Sequence, residues 1–164
     1  VKLKKLGFVS VFIVWLLFLP NASYIITDIF HLKKQTHVPL WFDLLLILSF
    51  ALNGLLLFFL SVYDMYKQLL TRISSKLAWI ITVVSLMLSA FGIYLGRFLR
   101  WNSWDIVSNP KLLILDVTDR IINPLSHPAT WGVTFGYGTL FLFGFLLFNL
   151  IKVENREVDI TKKQ

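Results

Sequence analysis

The sequence predicts an all-α, multi-pass transmembrane helix bundle: one integral-membrane domain over residues 1–164, with about four spans and short interfacial helices on its outer face. Three observations predict it. The chain is 57% hydrophobic and only 15% charged, whereas a soluble domain is about 25% charged. Apolar stretches recur at or near the ~20 residues that cross a bilayer as helix. Basic residues gather before the first stretch, between the second and third, and after the fourth, which puts three groups on one side of a membrane.

The first stretch, residues 6–19, follows Lys2, Lys4 and Lys5 and ends at Pro20. Charged residues ahead of an apolar run also describe a signal peptide, but no small-residue cleavage site follows, so the run reads as a retained span. Pro20 lacks an N–H and clashes with the preceding turn, and Asn is a favoured N-cap. A break at Pro20 is therefore expected, with Asn21 capping a new helical turn. The second span covers residues 40–63, with Asp43 at its mouth and Asn53 near its middle. An amide at that depth is costly unless bonded, so Asn53 is expected to bond across helices. The third covers 77–99. Its Ser85, Ser89, Gly92 and Gly96 form a small-residue stripe that allows close approach of another membrane helix, either the fourth span or a second copy of the chain. The fourth covers 129–151, where Gly132 and Gly136 repeat that pattern, and a polar tail occupies 152–164.

The positive-inside rule places Lys67, Arg72, Lys76, Lys152 and Arg156 in the cytoplasm, with both termini, and turns segments 20–40 and 97–128 outward. Lys33, Lys34, Lys111 and Arg120 in those outer segments weaken the asymmetry. The predicted location is the cell membrane. Basic residues exceed acidic ones 16 to 9, yet they are divided among membrane flanks and form no patch for nucleic acid. The absence of cysteine excludes disulfides, thiolate nucleophiles and thiolate metal ligands. No nucleotide loop, zincin histidine pair or nucleophile elbow is present.

The outer segments hold nearly every unusual polar residue. In "NASYIITDIFHL", Asn21, Tyr24, Asp28 and His31 lie on one helical stripe about 80° wide. That is either the solvated face of an interfacial helix or a pocket wall in which Asp28 and His31 act as base or ligand pair. In "GRFLRWNSWDIVSNP", Arg97, Arg100, Trp101, Trp104 and Asp105 crowd together. If the third helix continues, Arg100 extends the small-residue stripe, and Arg97, Arg100 and the two tryptophans share a neighbouring face. An aromatic belt with snorkelling arginines accounts for this. So does an anion clamp, because paired guanidinium forks suit carboxylate or phosphate. Between Pro110 and Pro124, Ile114, Leu115, Val117, Ile121 and Ile122 form an apolar arc opposite Asp116, Asp119 and Arg120. This pattern is an amphipathic surface helix, a candidate lid. His127 follows in a turn.

The stretches "FLPNASYIITDIFHL", "PLWFDLLLILSFALNGLLLFFLS" and "GIYLGRFLRWNSWDIVSNP" resemble a bacterial integral-membrane family catalogued as domain of unknown function 1361, over residues from about 15 to 150. The resemblance implies a multi-pass protein of the bacterial cell envelope and carries no catalytic role onto any residue. Members usually begin with further hydrophobic sequence before the "FLPNA" span. A start at Val1 therefore implies an alternative start codon or an N-terminally shortened member.

The residues support three functional classes. Asp28, Asp43 and Asp105 paired with Arg97, Arg100 and His31 would make a structural clamp in an accessory membrane subunit, the leading expectation, acting on a membrane-protein partner or as a homo-oligomer. Alternatively, Arg97 and Arg100 hold an anionic head group at a membrane-surface enzyme, with Asp28, His31, Asp43 or Asp105 as catalytic candidates. No cofactor is evident; a divalent cation would be held by Asp28, His31, Asp43, Asp105 or His127. A small-solute transporter is third, because only Asn53 and hydroxyl residues lie along the membrane depth.

Overall fold

A computed structural model describes residues 2–25, 27 and 39–161, with side chains for 7–25, 27 and 39–152. The described residues contain six α-helices and no strand: α1 (Lys2–Ser23), α2 (Leu40–Leu70), α3 (Ser75–Phe98), α4 (Asp105–Ser108), α5 (Pro110–Ile122) and α6 (Pro128–Thr161). Three of them, α2, α3 and α6, are long and apolar enough to cross a membrane; α1 contributes a shorter apolar run, Gly7–Ser23.

The third helix lies at the centre. It packs most extensively on α6 and also meets α1 and α2, and 44% of its apolar window is buried against 17% for α2. The core is aromatic: Phe58 of α2 meets Phe141 of α6 with ring centroids 4.7 Å apart, and Phe145, Leu86, Ile93 and Val62 are fully buried beside them. Lipid tails are as apolar as these side chains. What holds the rings together in a bilayer is therefore dispersion and fit rather than expulsion of water. One polar tie is added where Trp15 Nε1 of α1 donates to Ser61 Oγ of α2 at 2.8 Å.

Several expectations change. The helix α1 does not break at Pro20; it passes through the proline and stops at Ser23. A proline forfeits one backbone bond and strains one turn, and here its ring is packed into the space left by Gly92, whose added Cβ would lie 2.7 Å from Pro20 Cγ. Gly96 gives the same clearance to the Tyr24 ring, at 2.9 Å. The lower half of the small-residue stripe is thus occupied by α1 of the same chain. Asn53 bonds within its own helix, Nδ2 donating to the Ser49 carbonyl at 2.8 Å, and is exposed. The helices α2 and α6 run on past residues 63 and 151.

The third helix stops at Phe98, short of Arg100. Arg100 has φ 60, left-handed backbone. Trp101 N–H then reaches back to the Leu95 carbonyl at 3.1 Å and Leu99 N–H to the same oxygen at 3.2 Å. The helix thus ends on a left-handed residue, a position where glycine is usual. The stop turns the chain sideways, so Arg100, Trp101 and Trp104 do not extend the helical face of Arg97.

Candidate functional site

The polar residues collect at the end of the bundle where α3 stops. Of the expected site residues, Asp28 and His31 lie outside the described residues. Asp43 sits in the first turn of α2, where a carboxylate is favoured by the helix dipole, and its side chain makes no hydrogen bond or ion pair among the described residues. Arg97 Nη2 donates to the Thr27 carbonyl at 3.1 Å, joining α3 to the chain just beyond α1. Arg100 is exposed and its guanidinium has no hydrogen-bond or ionic partner among the described residues.

Asp105 is taken by its own turn. Asn102 N–H donates to Oδ2 at 2.7 Å, Ser108 Oγ donates to Oδ1 at 3.0 Å, and Asp105 N–H returns to the Asn102 carbonyl at 2.9 Å. The backbone donor at Asn102 and the Ser108 hydroxyl hold this carboxyl below the usual carboxylate range. In "NSWD" the carboxylate reaches back to the N–H three residues earlier, as the acidic half of a capping box does, and this accounts for an acid that the crowding of arginines had suggested was a ligand.

A second network belongs to α5, and sequence reading saw only its Asp116–Arg120 spacing. Trp101 Nε1 donates to Asp116 Oδ2 at 2.8 Å. Arg120 Nη1 donates to the Asp116 carbonyl at 2.7 Å and pairs with Asp116 Oδ1 at 3.4 Å. His127 Nε2 lies 2.7 Å from Asp119 Oδ2, and Asn123 Nδ2 donates to Asp119 Oδ1 at 2.8 Å. The Asn123 amide, then His127, lowers the Asp119 pKa. From α6, Trp131 Nε1 donates to the Arg120 carbonyl at 3.3 Å. Arg120 is 9% exposed, and its Nε and the Thr130 hydroxyl are buried with no partner among the described residues.

The apolar arc of α5 points the other way. Ile114, Leu115, Ile121 and Ile122 are 57–69% exposed. The helix therefore meets the bundle through its polar side and presents its apolar side to the surroundings, as a surface that meets lipid or a protein partner does.

Between α1, α3 and the turn after α3 lies a cleft of about 460 Å³. Leu16, Leu88 and Phe91 line one end, Asn21 and Tyr24 the other, and Asn102 belongs to its wall. Ser103, also in its wall, donates to the Leu17 carbonyl at 3.0 Å, and Phe18 meets Trp104 edge-on at 5.5 Å, so the turn is strapped to α1. Among the described residues no group of three or more His, Asp or Glu side chains could hold a metal ion.

Apolar helices of spanning length, an outward-facing apolar surface and a polar layer at one end together define a helical membrane protein. Residues 2–143 match the family model described as Protein of unknown function (DUF1361), and the chain belongs to that family. No curated protein and no solved structure matches it.

Proposed function

We propose that the chain is a structural or accessory subunit of the cell membrane, spanning it several times with both termini in the cytoplasm, whose polar end layer holds the helices in place for a partner instead of carrying out a reaction. The observation that carries this reading is the use of three carboxylates after α3: Asp105 accepts from Asn102 and Ser108, Asp116 from Trp101 and Arg120, and Asp119 from Asn123 and lies against His127. A general base needs an accessible lone pair aimed at substrate; a carboxylate whose oxygens already accept two bonds is better suited to fixing geometry.

The test has two arms. Reporter fusions at residue 105 should read as external and at residue 72 as cytoplasmic; a cytoplasmic signal at 105 overturns the orientation. Purified full chain offered phospholipids and acyl phosphates should give no turnover, and Asp105→Asn should lower the unfolding midpoint. Head-group turnover that disappears in Asp105→Asn would replace the structural reading with an enzyme.

One observation favours a second reading, a binder of anionic head groups. The cleft runs from Leu88 to Gly96 along α3, about 12 Å at 1.5 Å per residue. That is close to the depth of one leaflet's hydrocarbon. It is apolar at one end and polar at the other, and exposed Arg100 precedes Trp101 and Asn102 in its wall. An acyl chain with a phosphate at its polar end has the matching gradient. Retention of phosphatidylglycerol over phosphatidylcholine after delipidation, lost in Arg100→Gln, is the result this reading expects.

A further inference from the structure

Asn53 is the most anomalous residue on the surface. It stands near the middle of the apolar part of α2, the least covered of the three long apolar helices, and it is exposed. Its amide gives one N–H to Ser49 on its own helix. The carbonyl Oδ1 and the second N–H have no partner among the described residues. In hydrocarbon each such group is costly, and the remedy open to a lipid-facing amide is another helix.

The seams inside the bundle do not reach it. Adjacent Gly54 faces α1, its missing Cβ directed at the Ala22 carbonyl, and Phe58, one turn further, is buried in the core. Asn53 is turned about 100° from Gly54. Its neighbours one turn away are Ser49, Phe50, Leu56 and Leu57, all exposed. Phe50 and Leu57 are 57% and 62% exposed. A polar pair, Ser49 and Asn53, therefore lies in a frame of large apolar side chains with nothing among the described residues set against it.

We propose that this face of α2 is a homodimer interface, in which Asn53 of one copy bonds Asn53 of a second copy. Two properties select a second copy over an unrelated helix. An amide carries both donor and acceptor, so two of them related by a two-fold axis satisfy each other reciprocally, Nδ2 to Oδ1 in both directions. Two copies inserted with the same orientation also bring Asn53 to the same depth automatically. An axis along the membrane normal then aligns Ser49 with Ser49 one turn away. This interface leaves Gly92 and Gly96 with Pro20 and Tyr24, against which they already lie.

The absence of cysteine makes the test direct. Single-cysteine variants of the full chain are expressed in membranes and treated with a short bismaleimide. Leu57→Cys and Phe50→Cys should yield a product of twice the chain mass, and Val84→Cys on α3, which is also exposed, should not. Asn53→Leu in the Leu57→Cys background should raise the concentration for half-maximal dimer about tenfold, the effect of losing an interhelical amide bond. Asn53→Gln, which keeps both donor and acceptor, should retain the dimer. Unchanged circular dichroism of Asn53→Leu separates loss of dimer from loss of fold. Equal crosslinking at Val84 and Leu57, an Asn53→Leu variant that dimerises as wild type does, or a crosslinked product of some other mass each overturns the proposal.

Discussion

Replacing Arg100 by glycine should stabilise the protein. Arg100 has φ 60, and the left-handed region costs an L-residue with a Cβ about 1–2 kcal/mol. Nothing is forfeited in the folded state, because the guanidinium is exposed and makes no bond among the described residues, while the bonds that stop α3 are made by the Leu99 and Trp101 N–H groups. Glycine loses about 0.4–1 kcal/mol of that advantage through the greater freedom of the unfolded chain. The net gain is therefore about 0–1.6 kcal/mol, centred near 0.8, or about fourfold in the folding equilibrium. Unfolding in mixed micelles by titration with a denaturing detergent, followed by circular dichroism, measures it. Arg100→Ala, which retains the strain, should leave the midpoint unchanged. A loss of 1 kcal/mol or more in Arg100→Gly would refute the reasoning, since it would mean that the guanidinium makes a contact worth more than the strain it incurs.

The glycines divide into two groups with opposite expectations. Gly54→Ala sets a methyl against the Ala22 backbone and should cost about 1–3 kcal/mol by overpacking, whereas Gly132→Ala meets nothing within 4 Å and should stabilise α6 by up to about 1 kcal/mol through helix propensity; unfolding midpoints of the two variants decide. Asp119 has a folded pKa depressed by Asn123 and His127, so its contribution to stability is present above the unfolded carboxylate value of about 4 and is lost as pH falls through the lower folded value. Asp119→Asn should therefore remove part of the acid-side decline in unfolding midpoint below about pH 4, and an unchanged acid limb would show that the network contributes nothing.

Much of the architecture was legible because lipid imposes simple rules. A 3.6-residue period revealed the two faces of α5, though not that the polar one is turned to the bundle, which the contacts of Asp116 and Arg120 show. The errors share one cause: local rules say what a residue prefers and not what its neighbours have already compensated. Proline at position 20 should end a helix, but Gly92 on α3 makes room for the ring. Glycine should mark a left-handed helix stop, and with arginine in that place the end of α3 was hidden in an apparently continuous stripe. Asp105 in "NSWD" had a readable capping signature, obscured by the two arginines nearby. Asn53 could be placed at mid-span from sequence, but that no other described segment reaches it is a property of the packed bundle. The spacing of Asp119 and His127 across the turn at Pro124 carried no signal at all.

The inverted polarity of α5 has a consequence for handling the protein. A soluble domain keeps its surface helices by hiding their oily side, so water itself enforces the attachment. Here the oily side faces out and the attachments are Trp101 to Asp116, Trp131 to Arg120 and His127 to Asp119. Hydrocarbon, which offers no competing donors or acceptors, strengthens such ties, and water weakens them. Thin micelles that leave this end of the bundle wet should therefore release α5 while the aromatic core of α2, α3 and α6 stays intact, so the choice of amphiphile selects between two states of one folded chain.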